Sequence, residues 1–129
     1  MEHKIVVSTD RAAGPFGGAP YSQAIVSNGF VFTAGQIGAK ADGSGLVGPT
    51  LEEQTEQVFA NLRAILEEAG SSLERLVKTT VFLQNLGDFQ GMNSVYAQHV
   101  GDRPPARATI EAAGLPSGAL VEIEAIALD

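Results

Sequence analysis

Arg107 stands alone among small and apolar residues in the run Pro104-Pro105-Ala106-Arg107-Ala108-Thr109-Ile110. An acidic strand candidate follows, Leu120-Val121-Glu122-Ile123-Glu124-Ala125-Ile126-Ala127-Leu128. Guanidinium and carboxylate groups are costly to bury unless they are paired or used by a ligand. Both lie on segments whose remaining residues belong in an interior. A planar donor fork facing a carboxylate across a dry cleft would hold a small anion beside a group that directs water. The ordinary alternative is a structural ion pair between Arg107 and Glu122, Glu124 or Glu111. For Glu122 and Glu124 it is a strand end facing water. Residue chemistry alone leaves these readings open.

Other reactive side chains are few. The chain has no cysteine, which removes disulfides, thiolate metal sites and a thiol nucleophile. His3 and His99 are its two histidines, and His99 falls on the apolar face of a helix, where a packed or capping role is expected. Without Cys or a His-x-x-His pattern no metal site is expected. Neither glycine-rich stretch, Gly14 to Gly18 or Gly43 to Gly48, leads into Gly-Lys-Ser/Thr, so a P-loop is not supported. No cofactor is expected.

The elements that must position Arg107 and Glu122 follow from pattern. Lys4 to Val7 is a short strand, and the Gly- and Pro-rich stretch from Asp10 to Pro20 is a loop. Gln23 to Ser27 and Phe30 to Gln36 are strands joined at Asn28-Gly29, a strong hairpin signal. Lys40 to Gly48 is a loop. Thr50 to Ala69 is a helix, with Thr50 and Glu53 as a capping box and Gly70 as its stop. Its buried face is Val58, Leu62, Ile65, Leu66 and Ala69, while Glu52, Glu53, Glu56, Glu67 and Glu68 form a solvated face. Ser71 to Glu74 is a short capped turn. Leu76 to Leu83 is a strand rich in β-branched residues. Asp88 caps a shorter helix with Phe89, Met92, Tyr96 and His99 on one face. Ala106 to Glu111 and Leu120 to Leu128 are the last strands, with Glu122 and Glu124 on one face of the second.

The result is an α+β fold with about six strands and two helices. Phe30 to Ala34 and Val121 to Leu128 carry apolar or small residues on both faces, so both faces must be covered. Two helices cover only one. The other is expected to pack against further copies of the chain.

At 129 residues a single domain spanning 1–129 is expected. A hydrophobic fraction of 44% with 18% charged residues excludes a disordered chain. The formal charge of −7, with eight scattered basic residues, argues against nucleic acid as a partner. No run is long enough to span a membrane, and Met1 to Val7 is too short for a signal sequence, so a cytoplasmic protein is expected.

Several motifs resemble one family. They are Ala19-Pro20-Tyr21-Ser22-Gln23-Ala24, Phe32-Thr33-Ala34-Gly35-Gln36-Ile37, Val77-Lys78-Thr79-Thr80-Val81-Phe82-Leu83, Pro105-Ala106-Arg107, Leu115-Pro116 and Val121 to Ala127. In this order and spacing, from about Pro20 to the C-terminus, they are similar to the RidA (YjgF/endoribonuclease L-PSP) family. The resemblance implies a chorismate-mutase-like fold and a homotrimer, sheets packed inward, with ligand clefts between subunits. It implies hydrolytic deamination of 2-enamine and 2-imine acids, such as 2-aminoacrylate and 2-aminocrotonate, to 2-oxo acids and ammonia. It implies that Arg107 holds the substrate carboxylate, that Glu122 places the attacking water, and that Tyr21, Ala34, Gly35 and Thr109 contact the ligand. Ala34 and Thr109 stand where many members have Ser and Cys. The approach to Tyr21, Gly17-Gly18-Ala19-Pro20, is longer and richer in glycine than is usual, which bears on substrate range. A non-catalytic binder of 2-oxo acids and a ribonuclease are the rival functions.

Overall fold

The computed structural model describes residues 3–129, so the first two residues of the Met1 to Val7 run lie outside the described residues. Strands β1 (Ile5–Val7), β2 (Ala24–Ser27), β3 (Phe30–Thr33), β4 (Gln36–Ile37), β5 (Leu76–Leu83), β6 (Ala106–Glu111) and β7 (Val121–Leu128) form one mixed sheet. Its order is β1-β2-β3-β7-β5-β6, with β4 also on β7. Only β5 and β6 run parallel, joined by a crossover through helix α2 (Phe89–Val100). Helix α1 (Leu51–Glu68) links β4 to β5.

Local chemistry sets the boundaries. Asn28 (φ 53°) and Gly29 (φ 84°) both take positive φ, the condition for a type I′ hairpin turn between β2 and β3. The Thr50 side chain accepts from the Glu53 amide at 3.1 Å and caps α1. Gly70 at φ 85° ends it, with Ser71 N–H on Leu66 O at 2.8 Å and Gly70 N–H on Glu67 O at 3.0 Å, a Schellman closure. Asp88 stands at the start of α2 but makes no side-chain cap bond. The cap in that region comes from Asn85, which accepts from the Gly87 amide at 2.8 Å.

The expected strand from Phe30 to Gln36 is broken. Phe32 pairs with Ile126 and Gln36 with Ile123, so four steps on one side oppose three on β7. The extra residue lies at Thr33 to Gly35, where the Thr33 hydroxyl accepts from the Ala125 amide at 3.0 Å. This one-residue offset is why the sheet has seven strands rather than six.

Both helices lie on one face. Val31, Val81, Leu83, Val121, Ile123, Ala125 and Ala127 of the sheet pack with Val58, Phe59, Leu62, Ile65, Leu66, Met92 and Tyr96 in one core. The opposite face carries Phe30, Phe32, Ile110 and Leu128, all substantially exposed. That is a large apolar surface for a lone chain.

Candidate active site

Position on the sheet decides where each candidate residue points. Arg107 pairs with Thr79, and Thr79 with Ala125. Thr79 and Ala125 are buried beneath the helices, so Arg107 stands on the helix face. Its guanidinium carbon lies 4.7 Å from the centre of the Tyr96 ring and 5.5 Å from that of Phe89. These rings attract the cation and hold its plane. The Tyr96 hydroxyl is fixed in turn by a 2.6 Å hydrogen bond with Thr79. Burial raises the Tyr96 pKa, against smaller opposing effects of Thr79 and Arg107, which keeps the phenol neutral. Arg107 forms no ion pair among the described residues, so the structural pairing with Glu122, Glu124 or Glu111 is not made within the chain.

The Arg107 head opens on a shallow cavity of about 400 Å³ lined also by Asn93, Tyr96, Val100, Pro104 and Pro105. The Asn93 Oδ1 is buried there without a hydrogen-bond partner. An orphaned acceptor is costly, and the residue that carries it lines the same cavity as Arg107. Sequence reading passed over Asn93; its signal is its place one turn before Tyr96 on the face of α2 that meets β6. Thr109 lies two residues beyond Arg107 on the same face of β6.

Glu122 belongs to the opposite face. It pairs with Phe82 of β5 and Ile37 of β4, and shares a cavity of about 240 Å³ with Phe16, Tyr21, Ala34, Gly35, Ile37 and Pro116. Its carboxylate makes no hydrogen bond or ion pair among the described residues. Burial first, and the like charge of Glu124 second, raise its pKa above the ordinary value. Gly35 lies directly under it: a Cβ at that position would overlap Glu122 Oε2. The Tyr21 hydroxyl accepts from the Phe16 amide at 3.3 Å, tying the 3₁₀ turn at Phe16–Gly18 to the cavity wall. The Ala34 amide is committed to Gln23 O at 2.8 Å.

The sequence candidates thus fall into two groups. Tyr21, Ala34, Gly35 and Glu122 meet in one cavity. Arg107 and Thr109 stand together on the other side of the sheet. With β5 between them and three residues of offset along β7, the Arg107 and Glu122 Cα atoms are roughly 14 Å apart. One chain does not bring the two charges into one cleft.

His99 is occupied structurally. Its ring stacks on Phe59 with centroids 4.6 Å apart, and its Nε2 meets Glu56, which joins α1 to α2. Glu67 likewise pairs with Arg11 at 3.2 Å, so the acidic face of α1 is not wholly solvated. No group of three potential metal ligands occurs among the described residues, and no helix is long and apolar enough to cross a membrane.

Fold and residues together define an α+β protein with two cavities, one holding Arg107 and the other Glu122, on opposite faces of the sheet. Residues 13–129 match the family model described as Endoribonuclease L-PSP. The chain belongs to that family, the RidA family. A RutC family protein of Pyrococcus abyssi is 47% identical over 124 residues, covering 96% of each chain. The human 2-iminobutanoate/2-iminopropanoate deaminase is 39% identical over 123 residues, covering 95% of this chain and 88% of the relative. The crystal structure of Escherichia coli TdcF with bound serine superposes with a TM-score of 0.88 at 35% identity, covering 98% of this chain and 99% of that one.

Proposed function

We propose that this chain is an enzyme that hydrolyses 2-imino acids to 2-oxo acids and ammonia in clefts between the subunits of a homotrimer. The observation that carries the reading is the pair of unpartnered, half-buried charges, Glu122 in an apolar cavity and Arg107 held flat by two rings. The human relative at 39% identity is named for this activity.

The two half-clefts lie on opposite sheet faces, so a complete site needs Arg107 from one subunit and Glu122 from another. The exposed apolar face with Phe30, Phe32 and Leu128 is the surface that association would cover. Arg107 then binds the substrate carboxylate through its fork while the rings fix the fork's plane. Glu122 accepts a proton from water as the oxygen attacks the imine carbon. It returns that proton to nitrogen to give the carbinolamine, then relays the hydroxyl proton to the same nitrogen, and the C–N bond breaks as the carbonyl forms and ammonia leaves. Positioned acid–base help of this kind is worth about 10²–10⁴-fold, enough for a substrate that already hydrolyses unaided.

The same half-clefts would also bind a 2-oxo acid without turnover, and the serine in TdcF favours keeping this second reading. One assay separates the two. 2-Aminoacrylate is generated in situ from serine by a dehydrating enzyme, and pyruvate release is followed. Acceleration lost in Arg107→Ala supports the deaminase. Pyruvate release at the spontaneous rate, with 2-oxobutyrate still bound, supports the binder.

A further inference from the structure

A second cavity of about 260 Å³ lies beside the one that holds Glu122. The residues common to both are Phe16 and Ile37. Ile37 is fixed in β4 and buried. Phe16 is different: the residue is 43% exposed, and it is followed by Gly17 and Gly18 at φ 56° and 72°. Such backbone is favourable only for glycine, so this wall is built on a turn that few other sequences would form. Beyond the partition the lining includes Ala13, Pro15, Ala39 and Leu46, with Lys40 and Ser117 as its polar residues. Ala13, Ile37, Ala39 and Ala119, packed with Leu46 and Leu115, form a small apolar cluster separate from the main core.

We infer that this second cavity is a side-chain subsite, continuous with the Glu122 cavity past Phe16, which takes the branched aliphatic chain of a 2-imino or 2-oxo acid. The inference rests on the reading of Glu122 as the group facing the imine carbon. The carboxylate end of the ligand is held elsewhere, by Arg107, so the chain attached to the reacting carbon is the part free to extend. From the Glu122 cavity, an extension past the Phe16–Ile37 wall leads into this space. Small residues line its floor, leaving volume that a methyl substituent would not fill. A chain that does fill it gains about fourfold in binding for each buried methylene.

Gly14 supplies the test. It lines the second cavity and not the first. A Cβ there would meet nothing within 4 Å, and its φ lies outside the left-handed region. A larger side chain at this position fills the subsite without straining the turn. The assembled wild-type protein is titrated calorimetrically with pyruvate, 4-methyl-2-oxopentanoate and 2-oxoglutarate, and so are Gly14→Ala, Gly14→Leu and, at a second wall, Leu46→Trp. The wild type is expected to bind 4-methyl-2-oxopentanoate about tenfold or more tighter than pyruvate. Gly14→Leu is expected to abolish that preference, with pyruvate affinity within about twofold of wild type and Gly14→Ala intermediate. Leu46→Trp gives the same result if Gly14→Leu does not fold.

Equal affinity for the two ligands in the wild type, no binding of either, or a preference that survives both filling variants overturns the subsite. Tightest binding of 2-oxoglutarate also overturns it, by assigning the space to Lys40 and an acidic chain. Hydrolysis is measured in parallel on imines generated from alanine and leucine by an amino-acid oxidase. If neither imine is accelerated while the binding preference stands, the deaminase reading fails and the subsite remains.

Discussion

A carboxylate held partly out of water with no donor beside it is expensive in its charged form, and Glu122 is in that position. Two consequences of opposite sign follow. Water is steered by the ionised form, so activity falls as pH drops through the raised pKa, at a higher pH than an ordinary carboxylate would give. Glu124 is the second cause of the shift, so Glu124→Gln is expected to move the acid limb of kcat/KM to lower pH. An unmoved limb would remove the like-charge contribution. Stability runs the other way. A carboxyl whose folded pKa is raised stabilises the protein fully below its unfolded pKa, and that contribution is lost as pH rises through the folded value. Glu122→Gln is therefore expected to raise Tm at neutral pH while lowering kcat about 10²-fold or more; a fall in Tm at pH 7 would contradict the burial argument. Arg107 and Glu122 were visible in the sequence because each is a charge among apolar neighbours. Asn93 was not, because a polar residue on a short helix gives no sign of an unsatisfied oxygen until its surroundings are in place.

Among the elements, α1 positions the walls of both cavities through its buried amides. Asn61 donates through Nδ2 to Ile37 O at 3.3 Å and Ala39 O at 3.0 Å, and Gln54 accepts from the Leu120 amide at 2.8 Å. Gly38 permits the approach, since a Cβ there would stand 2.7 Å from the backbone of Gln54. Asn61→Ala takes the side-chain donor from the buried Ala39 carbonyl, while Ile37 O keeps the Ala39 amide at 2.8 Å, and is expected to cost about 1–3 kcal/mol. Thermal melting checks it, and a loss below about 0.5 kcal/mol would mean that water replaces the amide without penalty. Helix α1 and the Asn28-Gly29 hairpin were legible because their signals are local: a capping threonine, a terminal glycine, two residues able to take positive φ. The break between β3 and β4 was not. Phe30 to Gln36 reads as continuous strand, and only the register against β7, some ninety residues away in sequence, reveals the extra residue.

For the whole molecule, the side of the sheet that each charge occupies matters more than its distance from the other. A cleft completed between subunits predicts complementation. Trimers of Arg107→Ala and trimers of Glu122→Gln are each expected to be inactive, and co-expression of the two is expected to restore about a quarter of the sites by random mixing. Sedimentation would show one species at three times the 13.4 kDa chain mass. Mixed preparations that stay inactive, with mixing verified by mass spectrometry, would place both groups' work within one subunit and overturn the arrangement. Sequence alone reached the uncovered face, because apolar residues on both sides of a strand demand two partners.

The offset at Thr33 to Gly35 reaches further than the strand count. Were every residue after Phe32 paired in turn, with none bulged out, β4 would continue β3 in unbroken register with β7. Gln36 instead of Ile37 would then stand beside Glu122, and Ile37 would turn toward the helices. A glutamine amide next to that carboxylate would donate to it, favour its ionised form and draw its pKa back down. Leaving a single amino acid out of the ladder thus decides whether the acid group faces hydrocarbon or a ready-made donor, and with it whether incoming water is the partner it lacks.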